Sequence, residues 1–225
     1  MSESIRVCAA SSLRHELHEK IQFHEEIEPD INTLFDASSR IARQVEKGAK
    51  CHVFVSASST WVDRLEESGA IQRRWTAPDW RNSLAVLKSS ELSVRLASLE
   101  DLEHINRLAI GGPNVPLGAY SREVLTRFPN QRAQVIVGRN AEHVLRLVER
   151  GEVDAAIVYA SDIPFARDSK LAFHISEALH SPVQYELALL REAPPEASLL
   201  FDRLREHGIG PLSSSQRRPS EGLSP

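Results

Sequence analysis

The sequence predicts an α/β fold of two lobes, each a sheet flanked by helices, with a ligand cleft between them. Three observations point there. Short apolar strands alternate with amphipathic helices along most of the 225 residues, the pattern of a largely parallel sheet with helices on its faces. That scheme runs to about residue 82 and then starts again. A helix–turn–strand unit also recurs at a constant offset of 103. Ser38-Ser-Arg-Ile-Ala-Arg-Gln-Val-Glu-Lys-Gly48, then Val53-Phe-Val-Ser-Ala-Ser58, echoes Ala141-Glu-His-Val-Leu-Arg-Leu-Val-Glu-Arg-Gly151, then Ala156-Ile-Val-Tyr-Ala-Ser161. Such units are common in α/β proteins, so chance similarity stays open. A true repeat makes Ser38 and Ala141 equivalent helix starts facing one cleft.

The elements follow in order. Arg6 to Ala10 reads as a strand, and a helix from Ser12 carries Leu13, Leu17 and Ile21 on one face. His15 and His18 fall on the exposed side of that helix. Ile31 to Phe35 is a strand, and Ile41 and Val45 mark a helix ending near Gly48. Val53 to Val55 is a strand, followed by a helix with Trp61, Val62 and Leu65 that ends near Gly69. Ser83 to Leu87 reads as a strand leaving the first lobe. The second lobe takes strands at Arg107 to Gly111, Gln134 to Val137 and Ala155 to Tyr159, with helices at Tyr120 to Arg127 and Glu142 to Arg150. Val183 to Leu190 returns the chain, and Glu196 to Glu206 is a final helix. The expected division is lobe I over 1–82 and 184–211, lobe II over 83–183, and a disordered tail over 212–225.

Composition narrows the function. A net charge of −4 without a basic stripe argues against a nucleic-acid partner. No apolar run approaches the ~20 residues that cross a bilayer. The opening Met1 to Val7 has no apolar h-region; a cytosolic protein and an exported one whose signal is missing are both open. Cys8 and Cys51 lie inside apolar runs and read as small buried thiols rather than a disulfide. The nine histidines are scattered, with no metal-ligand spacing and no implied cofactor.

In open α/β sheets, ligands bind beyond the carboxyl ends of the strands, where helix N-termini point. Three such junctions here consist largely of small residues: Ala10-Ser-Ser12, Ala37-Ser-Ser39 and Asn140-Ala141. A helix N-terminus offers unpaired N–H groups and a partial positive charge, and a nearby hydroxyl adds a donor. The plainer reading is that these serines only cap helices.

Five segments in this order resemble the molybdate-binding proteins of ABC transporters, within the type II periplasmic binding-protein superfamily. They are Cys8-Ala-Ala-Ser-Ser-Leu13; Ser38 to Ala49; Val53-Phe-Val-Ser-Ala57 with Trp61; Val115-Pro-Leu-Gly-Ala-Tyr120; and Leu147 to Gly151 leading into Ile157-Val-Tyr-Ala-Ser-Asp162. The resemblance covers about Arg6 to Phe201. It implies a tetrahedral oxyanion, molybdate or tungstate, held by neutral donors, with no catalytic residues. Hydroxyl and amide contacts fall on Ser12 and Ser38, backbone amides on Leu117 and Ala141, and a phenolic hydroxyl on Tyr159. It further implies ABC permease subunits as partners, a periplasmic setting and a monomer.

The sequence departs from the family in three places. His52 and Gly112 stand where acidic residues are usual, and the final helical region is shortened to Asp202-Arg-Leu-Arg-Glu-His-Gly208. The resemblance leaves a cytosolic oxyanion sensor or carrier, and a receptor for another oxyanion such as sulfate, as alternatives. No helix-turn-helix precedes residue 6, which counts against a transcriptional regulator. An enzyme using Ser12, Tyr159 and His52 lacks both a G-x-S-x-G elbow and a base placed beside Ser12. Hinge strands near Ser83 and Gln184 are expected to close the lobes.

Overall fold

The computed structural model describes residues 4–14, 17, 31–129 and 132–207. Two five-stranded sheets form, one in each lobe. The first holds β1 (Ile5–Ala10), β2 (Ile31–Asp36), β3 (Val53–Ser56), β4 (Ile71–Asn82) and β10 (Val183–Leu190), in the order β2-β1-β3-β10-β4. The second holds β5 (Leu84–Ser89), β6 (Arg107–Gly111), β7 (Gln134–Gly138), β8 (Ala155–Tyr159) and β9 (Ser169–His174), in the order β7-β6-β8-β5-β9. The two orders are equivalent, with β1 matching β6, β3 matching β8 and β10 matching β5. In each sheet three strands run parallel and the other two antiparallel to their neighbours, so the sheets are mixed.

The helices are α1 (Ser38–Glu46), α2 (Ser59–Glu67), α3 (Pro116–Thr126), α4 (Ala141–Glu149) and α5 (Pro195–His207). The repeated segment is visible in three dimensions. Helices α1 and α4 start 103 positions apart and each leads into the third parallel strand of its sheet. Each also ends at a glycine with positive φ, +86° at Gly48 and +65° at Gly151, the left-handed conformation in which a Cβ is disfavoured.

Every residue of β3 and of β8 is buried. Their near-continuous apolar runs suit strands covered on both faces. In lobe I the alternation of β1 and β3 divides the core. Val7, Val53 and Val55 pack with Leu200, Phe201 and Leu204 of α5 on one face. Cys8 and Phe54 pack with Ile41 of α1 and Leu65 of α2 on the other. The final helix thus packs on one face of the sheet, together with Leu13 and Leu17. Each large apolar side chain buried there contributes roughly 1.5–3 kcal/mol. Cys8 and Cys51 are buried with free thiols.

Several elements differ from the sequence reading. The expected helix at Ser12 begins as a single 3-10 turn, Ser11–Leu13; Leu13 and Leu17 are buried, while His15, His18 and Ile21 lie outside the described residues. The 212–225 tail does too. Helix α3 starts four residues before Tyr120, because Pro116 fits the first helical position, where its missing N–H costs nothing. Strands β4 and β9 were not anticipated. Both are sheet edges, and an edge strand needs no continuous apolar run; β4 even carries Pro78.

The chain crosses between lobes twice. Ser83 alone separates β4 from β5, and its carbonyl accepts from Ala160 N at 2.8 Å. The return lies in residues 175–182, ahead of Gln184, because Val183 already pairs with Asn82 in the first sheet.

Candidate functional site

Strand order directs the carboxyl ends of β1, β2 and β3 toward those of β6 and β8. Ser12, Ser38, Leu117, Ala141 and Tyr159, all singled out from the sequence, line one cleft there. Asp36, Ala37, Ala57 and Pro116 complete much of its wall. The lobes lie close together: the centre of a water-sized sphere has only about 10 Å³ in which to move. That is room for about one water, so a tetrahedral oxyanion enters only when the lobes part.

The serines are not helix caps. Ala10 and Ala37 occupy the cap positions of their helical segments, and neither has a side chain that can cap. Ser38 is the first residue of α1. Its Oγ accepts from Ala57 N at 3.1 Å, which leaves its own proton available. Ser12 Oγ lies 3.3 Å from the Tyr185 hydroxyl. On the opposite wall, α3 starts after Val115, again without a side-chain cap. The first N–H groups of α1, α3 and α4 have no acceptor within their own helices, and each helix begins at the cleft.

Gly118 brings α3 this close. A Cβ at that position would overlap the carbonyl oxygens of Gly111 and Gly112. The Pro-Leu-Gly turn therefore packs directly on the end of β6 and presents Leu117 to the cleft. Gly112 belongs to this same packing, its carbonyl accepting from Val115 N at 3.0 Å.

Tyr159 ends β8 and is 2% exposed. Among the described residues its hydroxyl has no hydrogen-bond partner. Burial, reinforced by the neighbouring phenols of Tyr185 and Tyr120 and by Asp162, pushes its pKa well above the ordinary 10. The group is therefore a neutral O–H with an unused proton. Leaving such a hydroxyl unpaired costs about 1–3 kcal/mol, which a bound acceptor would recover.

Among the described residues of the wall Asp36 is the one carboxylate, and its oxygens are occupied. Oδ1 accepts from Ala37 N at 2.8 Å and from Asn140 Nδ2 at 3.2 Å, while Oδ2 pairs with Arg40 Nε at 3.0 Å. Arg14 pairs with Glu142 across the lobes at 3.0 Å, and the Tyr120 hydroxyl donates to Ala57 O at 3.4 Å. Burial raises the Tyr120 pKa to about 12, so it too stays protonated. Among the described residues lining the cleft there is no lysine, arginine, histidine or cysteine. The donor set is N–H and O–H dipoles, suited to holding a small anion.

His52 sits at the opposite end of β3. Its backbone bonds to Arg6 and Leu190, and its Nδ1 accepts from Arg6 N at 3.1 Å. It is structural, too far along the strand to serve Ser12 as a base. Sequence reasoning missed Asp36, Asn82 and Tyr185. Asp36 could have been noticed as a charged residue ending an apolar strand just before Ala-Ser-Ser. The other two reach the site only through the lobe crossings.

The molybdate-binding protein ModA of Escherichia coli is 30% identical over 197 residues, covering 83% of this chain and 77% of its own. ModA of Haemophilus influenzae is 28% identical over 201 residues, covering 84% and 79%. The periplasmic molybdate-binding protein of Azotobacter vinelandii shares the fold, with a TM-score of 0.78 over 90% of this chain and 93% of its own at 18% identity. Residues 5–207 match the family of bacterial extracellular solute-binding proteins, and this chain belongs to it.

Proposed function

We propose that this protein binds molybdate, and tungstate comparably, in the cleft between its lobes and delivers it to an ABC-type permease outside the cytoplasm. The observation that carries the reading is the buried, unpartnered Tyr159 hydroxyl standing in the same wall as two serine hydroxyls and three helix starts. The two ModA relatives support the choice of ion.

In this reading the Ser12 and Ser38 hydroxyls and amides hold oxygens from lobe I. The amides of Leu117 and Ala141 and the hydroxyl of Tyr159 hold them from lobe II. A buried dianion is costly unless each oxygen is paired, and neutral donors supply that pairing without a formal cation. Phosphate carries a proton at neutral pH, and the wall carboxylate Asp36 is already engaged by three donors. Sulfate is smaller and would leave longer, weaker bonds. Tungstate and molybdate differ little in size.

Melting curves with each of the four anions test this. At a hundredfold excess over Kd, a ligand bound only by the native state adds about 2.7 kcal/mol, a rise of roughly 5–10 °C for a chain of this size. Such a rise with molybdate and tungstate alone is expected. No rise with any of the four would overturn the reading.

A further inference from the structure

We propose that Arg14 is the capture residue of this cleft: parting of the lobes unmasks its charge to draw an anion in, and closure masks that charge again. The inference rests on the oxyanion-binding reading of the cleft and adds to it a residue that lies outside the wall.

Arg14 directly follows the Ser11–Leu13 turn, two residues beyond Ser12. Its Nη2 donates to Glu142 Oε2 at 3.0 Å, and Glu142 follows Ala141 in the first turn of α4. Each partner therefore neighbours a proposed ligand contact, one in each lobe. An oxyanion enters only when the lobes part, and parting breaks a pair that crosses between them. The two partners are not left alike. Glu142 keeps a cation of its own lobe, Arg146, one turn along α4. Arg14 keeps the ring of Phe35, whose centroid lies 4.8 Å from the guanidinium carbon. That contact holds the cation in place without cancelling its charge. Among the described residues Glu142 is the one carboxylate paired with Arg14, and the Arg14 Nε is buried with no hydrogen-bond partner. Asp36, on the same side of the cleft, pairs with Arg40 of its own lobe and stays balanced in either arrangement. Opening therefore leaves an uncompensated positive charge close to Ser12, while the Glu142 charge stays covered.

A dianion needs such help to arrive. The chain carries a net charge of −4, so the molecule as a whole repels it, and a local cation at the mouth raises its concentration there. Once the lobes close, Glu142 again shares Arg14, and the bound ion meets the N–H and O–H groups of the wall. Attraction confined to the open form speeds entry and exit together. Selectivity and affinity are thereby left to the uncharged donors, and the ion is not trapped by a buried cation when the lobes reopen.

Stopped-flow mixing with molybdate, followed by the tyrosine and tryptophan emission, gives the association rate where it rises linearly with concentration. Wild type, R14Q, R14K and E142Q are compared at low and high salt. At low ionic strength R14Q should associate several-fold to about tenfold more slowly than wild type. The gap should close at 1 M salt, where the Debye length is about 3 Å. R14K keeps the charge and should stay close to wild type. E142Q loses the tie but keeps the cation, so it should associate as fast as wild type or faster. If the pair is only a tie, breaking it from either side favours the open form. R14Q and E142Q would then associate alike, and no more slowly than wild type; that overturns the inference. A slowing by R14Q that persists unchanged at 1 M salt overturns it as well. Should R14Q fail to fold, R14M, whose unbranched stem still reaches Phe35, takes its place with the same expected slowing. A wild type that binds no molybdate in calorimetry overturns the oxyanion reading itself, before any rate is compared.

Discussion

Asn140 of lobe II donates its side-chain amide to Asp36 of lobe I at 3.2 Å, beside the cleft. The same Asn140 caps α4, its Oδ1 accepting from His143 N at 2.8 Å. One side chain therefore caps the start of a helix and ties the two halves together.

Replacing Asn140 tests both roles. Asn140→Ala should cost about 1 kcal/mol through the lost cap, lowering the melting temperature by a few degrees, and should weaken molybdate binding several-fold. Asn140→Asp keeps a capping acceptor but sets a second carboxylate against Asp36. Its affinity for a dianion, measured by calorimetry, should fall below that of the alanine variant. Equal affinities would show that the tie is unimportant for binding.

Tyr159→Phe separates binding from folding by opposite signs. Removing an unpaired buried hydroxyl should leave the free protein as stable as wild type or more so. Molybdate affinity should nevertheless drop by tenfold or more, read by titration beside a melting curve without ligand. A variant that melts early and binds normally would assign the hydroxyl a structural partner instead.

Much of this site was legible in the sequence, and the reason is geometric. In an α/β sheet the residues just past a parallel strand stand at the ligand edge, so Ser12, Ser38 and Ala141 could be placed there from junction spacing alone. The resemblance added Leu117 and Tyr159. The positions not foreseen are those whose neighbours are remote in sequence. Ser12 and Tyr185 are 173 residues apart, and no local periodicity brings them together. The edge strands β4 and β9 escaped for a related reason: each mixes polar and apolar residues, so neither carries a long apolar run.

Gly118→Ala should be among the most damaging single-methyl changes in lobe II. The added carbon meets backbone carbonyls, which cannot rotate aside as a side chain could. A cost of about 3 kcal/mol is expected, or roughly 6–12 °C in melting temperature. Because α3 must shift, the Leu117 amide moves as well, and molybdate binding should weaken along with stability. A normal melting temperature would contradict the close packing described.

Acid should loosen lobe I through His52. Burial, then the positive charges of Lys50 and Arg6, hold its pKa below the ordinary 6.5. The folded protein thus favours the neutral ring. The stability this gives is complete above about pH 6.5 and is lost as pH falls through the lower folded value. The melting temperature should decline between pH 7 and pH 5, and His52→Gln should flatten that decline. Parallel curves for the two proteins would assign the acid sensitivity elsewhere.

The two crossings also have a consequence for synthesis. Strands β5 to β9 form one uninterrupted stretch, whereas the first sheet lacks its β10 until residue 190 has been made. On a ribosome the second half of the molecule to begin is therefore the first that can finish, although domains more often fold in chain order. Until then β3 and β4 have no strand between them, and the apolar face later covered by α5 stays open. That interval leaves the nascent chain dependent on protection from aggregation.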